Sequence, residues 1–499
     1  MNLCKRSLLL GLACQLVFAG CASFFGEGPP SSPLPRLRYD IDAVLADSIF
    51  SPMQPAVKIV SLKSGETLYD LHSQLLLHPA SNMKLLTSAT ALGVLGRDFR
   101  FRTDVLVDSG GAGELRNIYL KGFGDPDLTT KDLDSLAAEV MRSGLSSVTG
   151  NVVADNSYFD DFYWGNGWMW DDEPDPDEMF ISALSVNKNC VIVTVTPGTM
   201  AGDSLKVAID PPTSYVTLLN NGRTVSDSVR QPLRVSRLFK ERLNTITVNG
   251  EMKNDSSSVL REELSVWRPE LYAAQLFKEE LQKAGVAVAG NAVAGVVPPN
   301  AILEAEHVWP MDSMVVNMDK VSDNLSAENT LKVIAAVTLG PPGSDAGGIF
   351  VVHRFLSSLG IDTTKFLMVD GSGVSHYNLL TAGILVQLLD AMAHRADLFP
   401  LFCASLPVAG VDGTLKGRMK GTIAEGNVRA KTGTISATST LSGYAVTRDT
   451  ELLAFSMMMQ HFIGSGSSAR LAQDRIAALL ANFSRSRVYP LDSASQAMK

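Results

Sequence analysis

Five side chains in three short segments carry the chemistry this sequence offers. Ser81 and Lys84 stand three residues apart, Ser322 and Asn324 two apart, and Lys431 opens the triplet Lys431-Thr432-Gly433. Residues i and i+3 of a helix share a face, so Lys84 can set its amine beside the Ser81 hydroxyl. A serine becomes a nucleophile when a base takes its proton, and a lysine serves if its neutral form is populated. Desolvation and a second cation both lower a lysine pKa, and Lys431 is the candidate second cation. Lys431 would also steer a substrate carboxylate into the site. Ser322 is expected to relay a proton to a leaving amine, and Asn324 to hold Lys84 and a substrate amide. Gly433 lets a substrate backbone approach its strand closely. The chemistry is acyl transfer through a serine ester.

Each segment alone is a weak signal. Ser185-Val186-Asn187-Lys188 repeats the first spacing, Ser185 and Asn187 repeat the second, and Lys63-Ser64-Gly65 imitates the third. Context separates them. Ser81 opens a run with apolar residues at Met83, Leu85, Leu86, Ala89, Leu92 and Leu95, which predicts a helix ending at Gly96. Ser185 precedes the strand-like Cys190–Thr196, and Lys63 lies in the turn of a predicted hairpin. There is no GxSxG, and the seven histidines show no HExxH or other metal spacing, so neither a metal nor a cofactor is expected. His78, three residues before Ser81, is given no role.

The elements that must position these groups fall at the two ends of the chain. The hairpin at 57–69, strand-like runs Thr440–Thr447 and Leu452–Gln460, and a helix opened by Ser467 or Ser468 are suited to one sheet with a helical cover. Residues near 100–300 have another texture, with short β-like runs and few helices, such as Leu133–Arg142 and Pro269–Ala284. They read as β-rich accessory domains inserted in one catalytic domain.

Lys5 and Arg6, then an apolar run from Leu8 to Ala19, form an export signal too short to span a membrane. The run ends in Phe18-Ala19-Gly20-Cys21, which suits lipidation of Cys21 and a membrane anchor that does not span. With Ala22 rather than Asp after the cysteine, a periplasmic site on the outer membrane is expected. Residues 22–38, rich in Gly, Pro and Ser, suit a tether. Of five cysteines, only Cys190 and Cys403 lie beyond the signal region, and they are expected as buried free thiols. The net charge of -9, without a block of Lys or Arg, gives no nucleic-acid surface.

Taken together, the motifs resemble the type-4 penicillin-binding proteins, D-alanyl-D-alanine carboxypeptidase/endopeptidases with a long insertion after the nucleophile. The resemblance rests on Pro79–Thr87, Ser322–Glu328, Asp370–Thr381, Leu406–Leu415, Val428–Thr434 and Leu441–Tyr444, with Asp155–Asp160, Gly167–Asp172 and Ile181–Asn187 in the middle. It implies a mixed α/β fold: a penicillin-binding, β-lactamase-like transpeptidase domain whose antiparallel sheet is flanked by helices, with two inserted β-rich domains. The expected division is signal 1–21, tether 22–38, catalytic domain 39–100 and 301–488, and insertions 101–185 with 265–300, and 186–264. The resemblance implies an acyl-enzyme at Ser81 on peptidoglycan peptides, with β-lactams as inhibitors acylating the same residue. It implies Lys84, Ser322, Asn324 and Lys431 as catalytic, and Thr432, Gly433 and Thr434 as substrate-binding. The N–H groups of Ser81 and Thr434 would hold the oxyanion. Asp155 would meet the amino end of a diaminopimelate side chain. The chain departs from the family at Met169, Cys190 and His376. Two other readings remain: a β-lactamase or esterase on the same fold, for which no deacylating Glu is identifiable, and a non-catalytic wall-binding lipoprotein, which the intact motifs disfavour. The sequence leaves the oligomeric state open.

Overall fold

A computed structural model describes residues 29–487 apart from 51, 109–116 and 256. The expected signal segment and Cys21 lie outside the described residues. Helix α1 (Pro33–Leu45) comes first. A proline is tolerated in the first turn, where its missing N–H has no helical partner. Leu37 and Ile41, four residues apart, are buried. The expected tether therefore cannot reach residue 38. The Pro and Ser residues that suggested a linker start a helix, and an apolar stripe docks it.

The main sheet contains β1 (Gln54–Ser61), β2 (Thr67–Leu71), β3 (Arg429–Ile435), β4 (Thr438–Val446) and β5 (Leu452–Gln460), in the order β3-β4-β5-β1-β2. Every pairing is antiparallel. Successive strand residues point to opposite faces, and here both faces are covered. Val57, Ile59, Phe455 and Met457 pack beneath α1 and the C-terminal helix α5 (Ser467–Asn482). Ala56, Ala454 and Met458 face the other way, against α2 (Lys84–Thr90), α3 (Asn324–Leu339) and α4 (Ala382–Ala393). Met457, Met458 and Met459 thus feed two cores in alternation, each side chain contributing about 1.5–3 kcal/mol by burial.

Between α2 and α3 the chain builds a second body with its own core. Its five-stranded sheet runs Ala292–Ala294, Val152–Asp155, Ile118–Gly122, Arg100–Val107, Ile302–Pro310, partly parallel. Helices Thr130–Arg142 and Pro269–Lys283 cover it, burying Leu136, Val140, Tyr272 and Leu276. This part of the insertion is a sheet carrying two helices, at the positions where the sequence pattern placed Leu133–Arg142 and Pro269–Ala284. Ile302–Pro310 pairs along the whole of Arg100–Val107. The return to the catalytic domain thus falls at Met311 rather than 301, because a half-exposed edge strand carries too little apolar alternation to read as part of a sheet. Residues 190–265 form smaller sheets, one of them Leu260–Ser265, Cys190–Thr196 and Lys206–Asp210.

Candidate active site

Ser81 lies in a tight 3₁₀ turn, Ala80–Met83, that runs into α2. Side chains three apart eclipse in such a turn, which sets Lys84 directly over the serine. Lys84 Nζ donates to Ser81 Oγ at 3.0 Å, to Asn324 Oδ1 at 2.5 Å and to the Ser372 carbonyl at 2.9 Å. Three donors meet three acceptors in a fully buried setting. Burial lowers the Lys84 pKa to about 8, against the opposing carboxylates of Glu328 and Asp370.

The second motif arrives by a different route. Helix Met311–Val316 widens into a π turn, Asn317–Val321, and stops at Ser322, which has φ 68°. A left-handed non-glycine residue costs on the order of 1–2 kcal/mol. Asp323 then caps α3, its carboxylate accepting from Ser326 N at 2.7 Å, and Asn324 opens the helix. Lys431 Nζ donates to Ser322 Oγ at 2.8 Å and to the Thr432 carbonyl at 3.0 Å. Burial, and then the charge of Lys84, push the Lys431 pKa well below the usual lysine value. The second-cation effect expected on Lys84 thus falls on Lys431, because carboxylates pull Lys84 the other way.

Gly433 leaves room for the nucleophile turn. A Cβ there would sit 2.3 Å from Thr440 Oγ1 and 2.9 Å from Ser81 N. Asn82 fastens the same joint, donating to Thr440 Oγ1 at 2.6 Å and to the Lys431 carbonyl at 3.2 Å. Thr432 bonds Thr414, Oγ1 to Oγ1, at 2.7 Å, and Thr434 is exposed on the edge strand.

Several supports lie in segments the sequence singled out without giving these residues a role. Glu328 on α3 accepts from the N–H groups of Gly371 at 3.0 Å and Ser372 at 2.7 Å, and so fixes the carbonyl that Lys84 uses. Burial and the neighbouring Asp370 raise the Glu328 pKa to about 8, against those N–H donors. The Asp177 carbonyl accepts from Asn324 Nδ2 at 2.7 Å. Lys188, from the decoy segment, bridges to Asp323 at 2.6 Å. It stands in the left-handed run Asn187, Lys188, Asn189, with φ 47°, 54° and 58°. Ser185 is buried, its hydroxyl bonded to the Ser182 carbonyl at 2.8 Å.

Asp155 is not a pocket carboxylate. It is wholly buried, paired with Lys121 at 3.1 Å and accepting from Ser157 N at 2.9 Å and Val297 N at 2.8 Å. Burial would raise its pKa, but these bonds prevail and hold it below the usual carboxylate value. Its oxygens tie together strands of the inserted sheet. His376 meets His78 edge-on at 5.5 Å, and burial followed by His78 lowers its pKa. Cys190 and Cys403 are free, the first buried and the second partly so.

The model of the D-Ala-D-Ala carboxypeptidase 3 (S13) family matches residues 37–483. The chain belongs to this family. The D-alanyl-D-alanine carboxypeptidase of Actinomadura sp. (strain R39) is 39% identical to this S13 member, over 90% of this chain and 85% of that protein. The D-alanyl-D-alanine carboxypeptidase DacB of Haemophilus influenzae is 27% identical, over 85% and 88%. The crystal structure of penicillin-binding protein 4 (dacB) from Haemophilus influenzae covers 89% of this chain and 99% of its own, with 24% identity and a TM-score of 0.79. A second structure of it, in complex with a β-lactam, gives 0.72 at 23% identity, over 88% and 98%. The S13 chain described here is a serine D-Ala-D-Ala carboxypeptidase of mixed α/β fold.

Proposed function

We propose that this site cleaves peptidoglycan stem peptides by acyl transfer, with Lys84 as the base. The observation that carries this reading is the contact of 3.0 Å between Lys84 Nζ and Ser81 Oγ, at a buried lysine whose pKa is about 8. Neutral Lys84 takes the Ser81 proton while Oγ attacks the carbonyl between two D-amino acids. The N–H groups of Ser81 and Thr434 hold the oxyanion. Ser322, bonded to Lys431, hands a proton to the departing amine. Lys431 attracts the substrate's terminal carboxylate, and water then hydrolyses the ester. A terminal D-Ala leaves in carboxypeptidase action, and a cross-linked diaminopimelate leaves in endopeptidase action. A β-lactam acylates the same Ser81 and is released slowly, which separates a peptidase from a β-lactamase.

Muropeptide digestion followed by mass spectrometry tests this reading. Release of D-Ala and penicillin labelling should both vanish in Ser81→Ala; labelling that persists in that variant overturns the assignment. We also propose export and anchoring through a lipid on Cys21, facing the periplasm from the outer membrane, which the signal-like sequence supports. Metabolic labelling with a fatty acid should mark the wild type and not Cys21→Ala.

A further inference from the structure

Next to the catalytic groove lies a cleft the reaction does not use. Trp168 Nε1 donates to Asp370 Oδ2 at 3.1 Å, and Asp370 is two residues from Ser372, the carbonyl partner of Lys84. Beyond Trp168 opens a cleft of about 300 Å³, lined by Trp164, Trp168, Trp170, Phe239, Lys240 and Arg242, with Glu173 at its edge. Trp164 and Trp168 meet edge-on at 5.4 Å. Trp170 leaves 68% of its surface exposed.

Two cations stand among these rings. Lys240 Nζ lies 5.6 Å from the centroid of Trp170, and the Arg242 guanidinium 4.5 Å from that of Trp267. Neither pairs with a carboxylate among the described residues. Glu173 is already engaged by Arg237. The cleft thus offers flat apolar faces beside hydrogen-bond donors with no protein acceptor among the described residues. That combination recognises a sugar ring: its C–H face packs on the indole, and its hydroxyl and acetamido oxygens accept from the cations.

The substrate supplies such a ring, since a stem peptide hangs from a glycan strand. Its reach is also suitable. Four extended residues span about 13–14 Å. Asp370, bonded to Trp168, and Ser372, bonded to Lys84, stand two residues apart, so the cleft and the nucleophile border the same loop. We propose that this cleft binds an N-acetylated amino sugar of the glycan strand that carries the peptide being cut. The proposal rests on the peptidase reading above.

Two substrates with the same pentapeptide test it, one free and one attached to its N-acetylglucosamine–N-acetylmuramic acid disaccharide. The full protein should show a KM about tenfold lower for the glycan-linked form, a modest gain in binding. Trp170→Ala and Lys240→Ala should each erase that preference and leave kinetics on the free peptide unchanged. Both side chains are solvent-facing, and an unaltered rate of penicillin labelling reports an intact site in each variant. Equal KM values for the two substrates in the wild type, or a preference that survives in both variants, overturns the proposal. Failure to cut the free peptide overturns the peptidase reading itself, and that arm keeps the two failures distinguishable.

Discussion

At the scale of residues, the site is governed by two buried lysines. Since Lys84 must be neutral to accept a proton, acylation should accelerate as pH rises through about 8. Stopped-flow measurement of penicillin acylation across pH 6–9 checks this, and a flat profile would contradict it. Gly433→Ala should slow acylation by about 10²-fold or more, since the new Cβ displaces Thr440 or the Ser81 turn. Binding of a non-reactive substrate analogue should survive in that variant. The sequence made Ser81, Lys84, Ser322, Asn324 and Lys431 legible because spacing and order are written in it. It misled at Asp155, because a carboxylate locked into Lys121 and two N–H groups looks the same in sequence as one open to a ligand. It also hid the closeness of Gly433 to Ser81, which lies about 350 positions away along the chain.

At the scale of elements, the nucleophile turn, the π turn before Ser322 and edge strand β3 must meet at one point. Lys188 braces the second of these through Asp323. Lys188→Ala should lower the acylation rate about tenfold with little change in substrate KM, and Lys188→Arg should restore most of it. The Lys188 side chain is 43% exposed, so the pair contributes at most about 1 kcal/mol to stability, and the melting temperature should barely move. A large thermal loss with unchanged kinetics would make Lys188 a purely structural residue. The amphipathic pattern of α2 was readable, but the 3₁₀ turn preceding it was not, because the same residues suit either helix. Strand Ile302–Pro310 was likewise missed, since an edge strand leaves one side to solvent and blurs the alternation.

At the scale of the whole molecule, buried acids set the response to pH. Burial, then Asp323 and Asp125, raise the Asp127 pKa to about 7, and burial with Asp175 raises Glu178 to about 8. A folded-state pKa above the unfolded value means the native state holds extra protons. Their stabilisation is complete below the unfolded pKa, near 4, and is lost as pH rises through about 7 to 8. Lys84 acts in the opposite sense, its cost on stability easing between about 8 and the usual lysine value of about 10.5. The melting temperature should therefore fall from pH 5 to pH 8, and Asp127→Asn should flatten part of that fall. Differential scanning calorimetry at fixed ionic strength provides the measurement. The plan of one domain interrupted by a long insertion could be read from about 240 residues between Lys84 and Asn324. The parallel pairings inside the insertion could not, because which strands become neighbours is decided by packing.

The strand order β3-β4-β5-β1-β2 also has a temporal meaning. During synthesis the nucleophile leaves the ribosome some 350 residues before Lys431, on the order of tens of seconds at about 5–20 residues per second. Through that interval β1 has no β5 to pair with, and Ser81 is an ordinary alcohol. A nascent chain released before β3 carries the hydroxyl without the apparatus that makes it reactive, so premature termination produces an inert fragment rather than an uncontrolled hydrolase.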